Sequence, residues 1–149
     1  MKAVILAGGL GTRLAEETHD RPKPMVEIGG KPVLWHIMKI FASHGVNEFI
    51  ICCGYKGYYI KEYFNSFFLR ETDIEFDLSK NEVIIKKNSP EQWKVTCVDT
   101  GESTLTGGRL KRVKDYLDPA EPFFFTYGDG LSDVNITELL DFHQKNNKL

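Results

Sequence analysis

Short apolar runs alternate along the chain with longer stretches in which apolar residues recur every three or four positions. Ala3-Val4-Ile5-Leu6 and Phe49-Ile50-Ile51-Cys52-Cys53 are continuous runs, the pattern of strands buried on both faces. Between them, Val33, Leu34, Ile37, Met38 and Phe41 share one face of a helix, with Pro32 suited to its first turn and Gly45 to its end. Ile60, Tyr63, Phe64, Phe67 and Phe68 predict a second amphipathic helix, its aromatic stripe assigned to core or to a subunit contact. At Asp73 the period changes to two. Ile74, Phe76 and Leu78 alternate with polar residues, Ser79-Lys80-Asn81 turns, and Val83–Lys86 returns as a hairpin. Trp93–Val98 predicts a further strand, Leu110, Val113 and Leu117 a helix, and Phe123-Phe124-Phe125-Thr126-Tyr127 a central strand. Asn135 with Glu138 forms a capping box ahead of Ile136, Leu139, Leu140 and His143.

The resulting order is strand, helix, strand, helix, hairpin, strand, helix, strand, helix. Such alternation predicts an α/β fold with a mainly parallel central sheet flanked by helices, and a β-hairpin insertion. At 149 residues, with no repeat or interdomain linker, the chain reads as one domain. A hydrophobic share of 42% and a charged share of 27% belong to an ordinary globular protein. A formal charge of −2 offers no general attraction to nucleic acid or an anionic membrane, so any phosphate must be met by local positive charge. No apolar run approaches a membrane span, and the N-terminal run lacks a signal-peptide pattern. Three cysteines without metal-ligand spacing are expected in a reducing cytoplasm, with Cys52 and Cys53 as core residues.

The candidate chemistry lies where strands end. Leu6-Ala7-Gly8-Gly9-Leu10-Gly11-Thr12-Arg13 is a glycine-rich turn after the first strand. Without Cβ atoms its N–H groups come close to a phosphate, and Arg13 adds a fixed cationic fork. The turn is neither a Walker A loop nor a dinucleotide fingerprint. A tight turn with no ligand would use the same glycines. Lys23 stands between Pro22 and Pro24, which predicts an extended, stiff segment; a phosphate contact and a solvated surface lysine remain equal readings. The loop Asp99–Gly108 brings hydroxyls, including Thr104, and the adjoining Arg109 to a helix start. Gly128-Asp129-Gly130 places a carboxylate at a strand's carboxyl end, with room for a metal and a phosphate. Asp133 is a weaker second candidate, more suited to loop capping. His36 is assigned a structural or solvated place.

The glycine-rich turn, joined to Lys23-Pro24, resembles the signature of the sugar-1-phosphate nucleotidylyltransferases. The segments Gly29–Ile37, Cys52–Gly57, Thr106–Arg112 and Tyr127–Gly130 extend the resemblance over nearly the whole chain and are similar to the family's cytidylyltransferase branch. The resemblance implies a Rossmann-like nucleotidyltransferase (GT-A-like) fold. It also implies a Mg²⁺-dependent reaction in which a phosphate oxygen of glucose 1-phosphate attacks the α-phosphorus of CTP and pyrophosphate leaves. Leu6, Ala7, Gly8, Gly9, Leu10, Gly11, Thr12 and Arg13 would then wrap the nucleotide. Arg13 and Lys23 would neutralise phosphate, Thr104 and Arg109 would contact the nucleotide, Gly128 would allow close approach, and Asp129 would hold Mg²⁺. Arg21 stands where the family motif has lysine, with its charge kept. Members of the family run well beyond this length, and their later part supplies a second metal-binding aspartate and much of the sugar pocket. The resemblance therefore implies an N-terminal portion; an exposed sheet edge or apolar face where the later part packs is expected to make it a homo-oligomer. A thymidylyl- or uridylyltransferase, or a nucleotide-binding module without activity, stands as the alternative.

Overall fold

The computed structural model describes residues 1–9, 21–86 and 91–146. Leu10, Gly11, Thr12 and Arg13, with the connection running to residue 20, lie outside the described residues. In chain order the elements are β1 (Lys2–Ala7), β2 (Glu27–Ile28), β3 (Lys31–Pro32), α1 (Val33–Ser43), β4 (Glu48–Cys53), α2 (Gly57–Asn65), α3 (Phe67–Glu71), β5 (Ile74–Asp77), β6 (Glu82–Ile85), β7 (Lys94–Asp99), α4 (Thr106–Arg112), β8 (Phe123–Tyr127) and α5 (Ile136–Asn146).

Four strands form one sheet in the order β7-β4-β1-β8, every pair parallel. Alternate residues of a strand point to opposite faces, and the apolar runs of β1 and β4 supply both faces at once. Ala3, Ile5 and Ala7 join Leu34, Ile37, Met38 and Phe41 of α1, Ile60 and Tyr63 of α2 and Ile136 of α5 in the larger core. Val4 and Leu6 join Ile50, Cys52 and Val113 in a smaller core on the other face, with Leu110 of α4 packed against it. Each Val, Leu, Ile, Met or Phe side chain among them contributes roughly 1.5–3 kcal/mol when fully buried.

Three sequence expectations change. The Phe-rich strand is an edge strand, because β8 pairs only with β1 among the described residues. Phe124 is buried, while Phe123, Phe125 and Tyr127 point outward and stay exposed. Continuous apolar character signals burial on both faces, but here one face of β8 lacks a covering element among those residues. The segment around Lys23 is not extended: Lys23–Met25 form one turn of 3-10 helix, closed by the Met25 N–H donating to the Pro22 carbonyl at 2.8 Å. Proline's fixed φ suits a 3-10 turn as well as an extended chain. The second amphipathic helix is two helices, broken at Ser66.

Other readings hold in detail. Gly29 and Gly30, both at positive φ, make the two-residue turn between β2 and β3, and Gly45 at φ 82° ends α1. The Asn135 side-chain oxygen accepts from the Thr137 and Glu138 N–H groups at 3.1 and 3.2 Å, and its amide donates to Glu138 at 3.0 Å, completing the capping box. The β5–β6 hairpin forms a separate two-stranded sheet. His36 Nε2 lies 2.9 Å from the Ile28 carbonyl, a structural contact.

Candidate active site

Because the four strands are parallel, their carboxyl ends share one rim, the edge at which open α/β sheets receive ligands. The register sets Ala7 beside Cys53, Cys53 beside Asp99 and Leu6 beside Tyr127, so the segments that follow each strand start at one level. A cleft of about 390 Å³ opens there. Its floor is Leu6, Ala7, Gly8 and Gly9; one wall is the segment from Glu102 to Thr106, the first residue of α4, with Arg109 behind it; the other is Lys23, Pro24, Tyr127 and Asp129.

Lys23 is aimed by its turn. Pro24 and Met25 are buried and anchor it, and the Val26 N–H donates back to the Lys23 carbonyl at 3.0 Å. The Lys23 Nζ reaches to 3.8 Å from Asp129 Oδ2. Asp129 is carried by the turn after β8. The Gly128 N–H donates to the Leu6 carbonyl at 2.8 Å and extends the β1–β8 ladder by one step. A Cβ at Gly128 would stand 2.8 Å from that carbonyl and 3.1 Å from Pro24 Cγ. The close approach that Gly128 permits is thus between the end of β8, the end of β1 and the turn bearing Lys23.

Arg109 is 5% exposed and has no carboxylate partner among the described residues. Its Nη1 donates to the Thr100 hydroxyl at 2.7 Å, the Gly101 carbonyl at 2.8 Å and the Cys53 carbonyl at 3.3 Å. Its Nη2 donates to the carbonyls of Gly8 at 2.8 Å and Glu102 at 3.0 Å. Burial draws the guanidinium below its ordinary pKa, with the nearby Cys52 acting in the opposite direction. Burying a charge without hydrogen bonds would be prohibitive; oxygens from three strand ends offset the cost here. Cys52 and Cys53 are core residues with protonated thiols. Burial pushes Cys52 up to about 11, and a hydrogen bond with Cys97 together with burial raises Cys53 as well.

Of the residues singled out from sequence, the structure brings Leu6, Ala7, Gly8, Gly9, Lys23, Thr104, Arg109 and Asp129 to this one cleft. Gly128 sits beneath it, while Asp133 is exposed and does not line it. Leu10, Gly11, Thr12 and Arg13 lie outside the described residues. Sequence reasoning missed Thr100, fully buried, and Gly54, whose Cβ would stand 2.5 Å from Arg109 Nη1. The glycine at the end of β4 and the threonine just past β7 were the available signals. They mark strand ends, and only parallel pairing makes those ends neighbours.

A sheet of parallel strands with a glycine-rich turn, a lysine and an aspartate at its carboxyl rim is the arrangement of a nucleotide-handling α/β enzyme. The profile of the nucleotidyl transferase family matches residues 2–149, and the chain belongs to that family. It is 60% identical over 148 residues to the glucose-1-phosphate cytidylyltransferase of Salmonella typhimurium, covering 99% of this chain and 58% of that protein. It is 52% identical over 144 residues to a probable glucose-1-phosphate cytidylyltransferase of Bacillus subtilis, covering 97% and 56%. Among solved structures, HddC from Yersinia pseudotuberculosis, complexed with GMP-PN, superposes with a TM-score of 0.67 at 30% identity, over 95% of this chain and 53% of that one. The chain therefore spans somewhat over half the length of the relatives it matches.

Proposed function

We propose that this chain is the nucleotide-binding portion, residues 1–149, of an enzyme that transfers a cytidylyl group from CTP to α-D-glucose 1-phosphate, giving CDP-glucose and pyrophosphate. The observation that carries the reading is the convergence of Lys23, Asp129 and the Gly8–Gly9 backbone on one cleft. Identity of 60% to a cytidylyltransferase favours CTP and glucose 1-phosphate over other pairs of the same chemical type.

Transfer between phosphates asks little covalent work of a protein; it asks for positioning and for neutralisation of charge. Lys23 supplies one cation from a rigid turn, and Arg13 is the second. Leu6–Arg13 surround the nucleotide, with Thr104 on the opposite wall and Gly128 keeping the floor thin. Asp129 is assigned a Mg²⁺ ion. A half-exposed carboxylate in a cleft fits an ion that keeps several waters and takes the rest of its ligands from phosphate oxygens. When bound, that ion neutralises part of the triphosphate charge and fixes its orientation.

No helix among the described residues is long and apolar enough to cross a membrane. We assign the protein to the cytoplasm, with nucleotide and sugar phosphate rather than nucleic acid or lipid as its partners, and assign it a homo-oligomeric state.

The test is pyrophosphate release from CTP, glucose 1-phosphate and Mg²⁺ by this chain joined to the C-terminal part of a full-length relative, with dTTP and UTP in parallel. Release with CTP well above the other two is expected. Preference for dTTP or UTP would move the assignment within the family, and no release above background would overturn it.

A further inference from the structure

We infer that the outer edge of β6 pairs with the β6 of a second copy of this chain, antiparallel and centred on Ile84, so that two hairpins join into one four-stranded sheet. The inference rests on the homo-oligomeric state assigned above, for which it supplies a defined contact, and is independent of the nucleotide reading.

Among the described residues β5 and β6 pair only with each other, and every residue of β6 is exposed, Val83 at 63% and Ile85 at 48%. The Lys86 N–H donates to the Asp73 carbonyl at 2.8 Å. Hydrogen-bonded pairs alternate along an antiparallel ladder, so in the register that sets Ile74 opposite Ile85 the pairs Glu75–Ile84 and Asp77–Glu82 are bonded too. The N–H and C=O groups of Val83 and Ile85 therefore point away from β5, toward the free edge. Such an edge is a template for a further strand.

The side chains select the partner. A twofold axis at Ile84 sets Val83 against the partner's Ile85, Ile84 against the partner's Ile84 and Glu82 against the partner's Lys86. Val83 and Ile85 then exchange backbone hydrogen bonds across the axis, and the other pairs are of the close, non-hydrogen-bonded kind in which side chains meet. Val83 and Ile85 share one face with Ile74 and Phe76, while Glu82, Ile84 and Lys86 share the other. Every pair is thus apolar on apolar or anion on cation. Glu82 has no ion-pair partner among the described residues, and Lys86 Nζ lies 2.9 Å from Glu75 Oε2 on the same face. Moving the axis to Val83 would set Glu82 against an isoleucine and Lys86 against a lysine. The opposite edge repels its own copy: an axis at Glu75 sets Asp73 against the partner's Asp77, and one at Phe76 sets Glu75 against the partner's Asp77. A contact of this self-complementary kind closes as a pair.

One strand edge is small against the roughly 1,200–2,000 Å² of a stable interface, so the seam adds to another contact and is best read by a covalent trap. The experiment places one new cysteine at a time in this chain joined to the C-terminal part of a full-length relative. Disulfide-linked dimers are counted after mild oxidation, with the parent as background for its own three cysteines. Ile84→Cys should link, because a non-hydrogen-bonded pair holds its Cα atoms about 4.5 Å apart, within disulfide reach. Leu78→Cys, at 88% exposure the better target for random collision but remote from the axis, should stay at background. Adding Glu82→Lys or Lys86→Glu to Ile84→Cys should each cut the yield about tenfold, since each brings like charges together twice. Mixing those two variants sets opposite charges together again at both places and should regain the yield of Ile84→Cys alone. Equal linking of Ile84→Cys and Leu78→Cys, a yield indifferent to the charge changes, or no recovery on mixing would overturn the inference. Sedimentation of the parent keeps the two readings apart: an oligomer without a link at Ile84→Cys removes this contact alone, and a monomer removes the homo-oligomeric state with it.

Discussion

Lys23 Nζ and Asp129 Oδ2 lie 3.8 Å apart, although one belongs to a turn near the start of the chain and the other to the last strand's exit. The contact exists because Gly128 lets the end of β8 close against Leu6 and Pro24. Such a partly exposed pair contributes about 0–1 kcal/mol to stability. Its value lies in placing a cation and an anion where a metal-bound polyphosphate needs both.

Lys23→Ala should therefore leave thermal unfolding nearly unchanged. In the completed enzyme it should lower pyrophosphate release by roughly 10²-fold or more, the loss expected for one charged transition-state contact. An unaltered rate would reduce Lys23 to a surface residue.

Asp129→Asn keeps the side chain's shape and removes its charge. Binding of Mn²⁺, a paramagnetic stand-in, in the presence of CTP is read from water-proton relaxation. The parent chain should show enhancement and Asp129→Asn should not; equal enhancement would remove Asp129 from the metal site.

Gly54→Ala and Gly9→Ala separate packing from ligand contact. A Cβ at Gly54 would stand 2.5 Å from Arg109 Nη1, 2.7 Å from the Gly8 carbonyl and 2.9 Å from the Gly101 carbonyl. That overpacking should cost about 1–3 kcal/mol in denaturant unfolding. A Cβ at Gly9 would meet no atom within 4 Å among the described residues beyond its chain neighbours, so its alanine variant should unfold within about 0.5 kcal/mol of the parent.

Tyr63 gives the stability a pH dependence. Its buried hydroxyl has no hydrogen-bond partner among the described residues, and burial above all pushes its pKa from 10.0 up to about 12. The folded state holds this proton more tightly than the unfolded chain does. Its contribution is therefore complete below about pH 10 and is lost as the pH rises toward 12. Cys52, raised to about 11, adds a loss in the same direction from pH 9 upward. Tyr63→Phe should make the alkaline fall in Tm shallower and should be neutral or mildly stabilising at pH 7, since it deletes an unsatisfied polar group. A fall as steep as the parent's would rule this account out.

The outward face of β8 should drive self-association of the 149-residue chain. Phe123, Phe125 and Tyr127 are exposed on an edge strand, which offers both apolar surface and unpaired backbone groups. Sedimentation of Phe125→Lys should shift toward monomer relative to the parent, and identical profiles would place the contact elsewhere.

Much of this architecture is written in local pattern. The apolar runs of β1 and β4, the helical stripe of α1, the period-two hairpin and the Asn135–Glu138 cap each depend on neighbours a few residues away, and each forms where the pattern places it. The glycine-rich turn, Lys23 and Asp129 also stand out by residue type alone. What pattern could not assign was position within the sheet. Phe123–Tyr127 has the composition of an interior strand and takes an edge, because strand order follows from which pairs meet rather than from how apolar each one is. Proline restricted Lys23 to two compatible backbone forms without choosing between them.

By itself, then, the sequence determined the elements, their parallel alternation and the residue types available at the strand ends, since these follow from periodicity and backbone sterics. Only the tertiary structure decided that Arg109 turns inward onto carbonyls from β1, β4 and β7, and that Lys23 meets Asp129. Both outcomes depend on distances between segments remote in the chain, which are set when the parallel strands pair in register and bring their carboxyl ends to one rim.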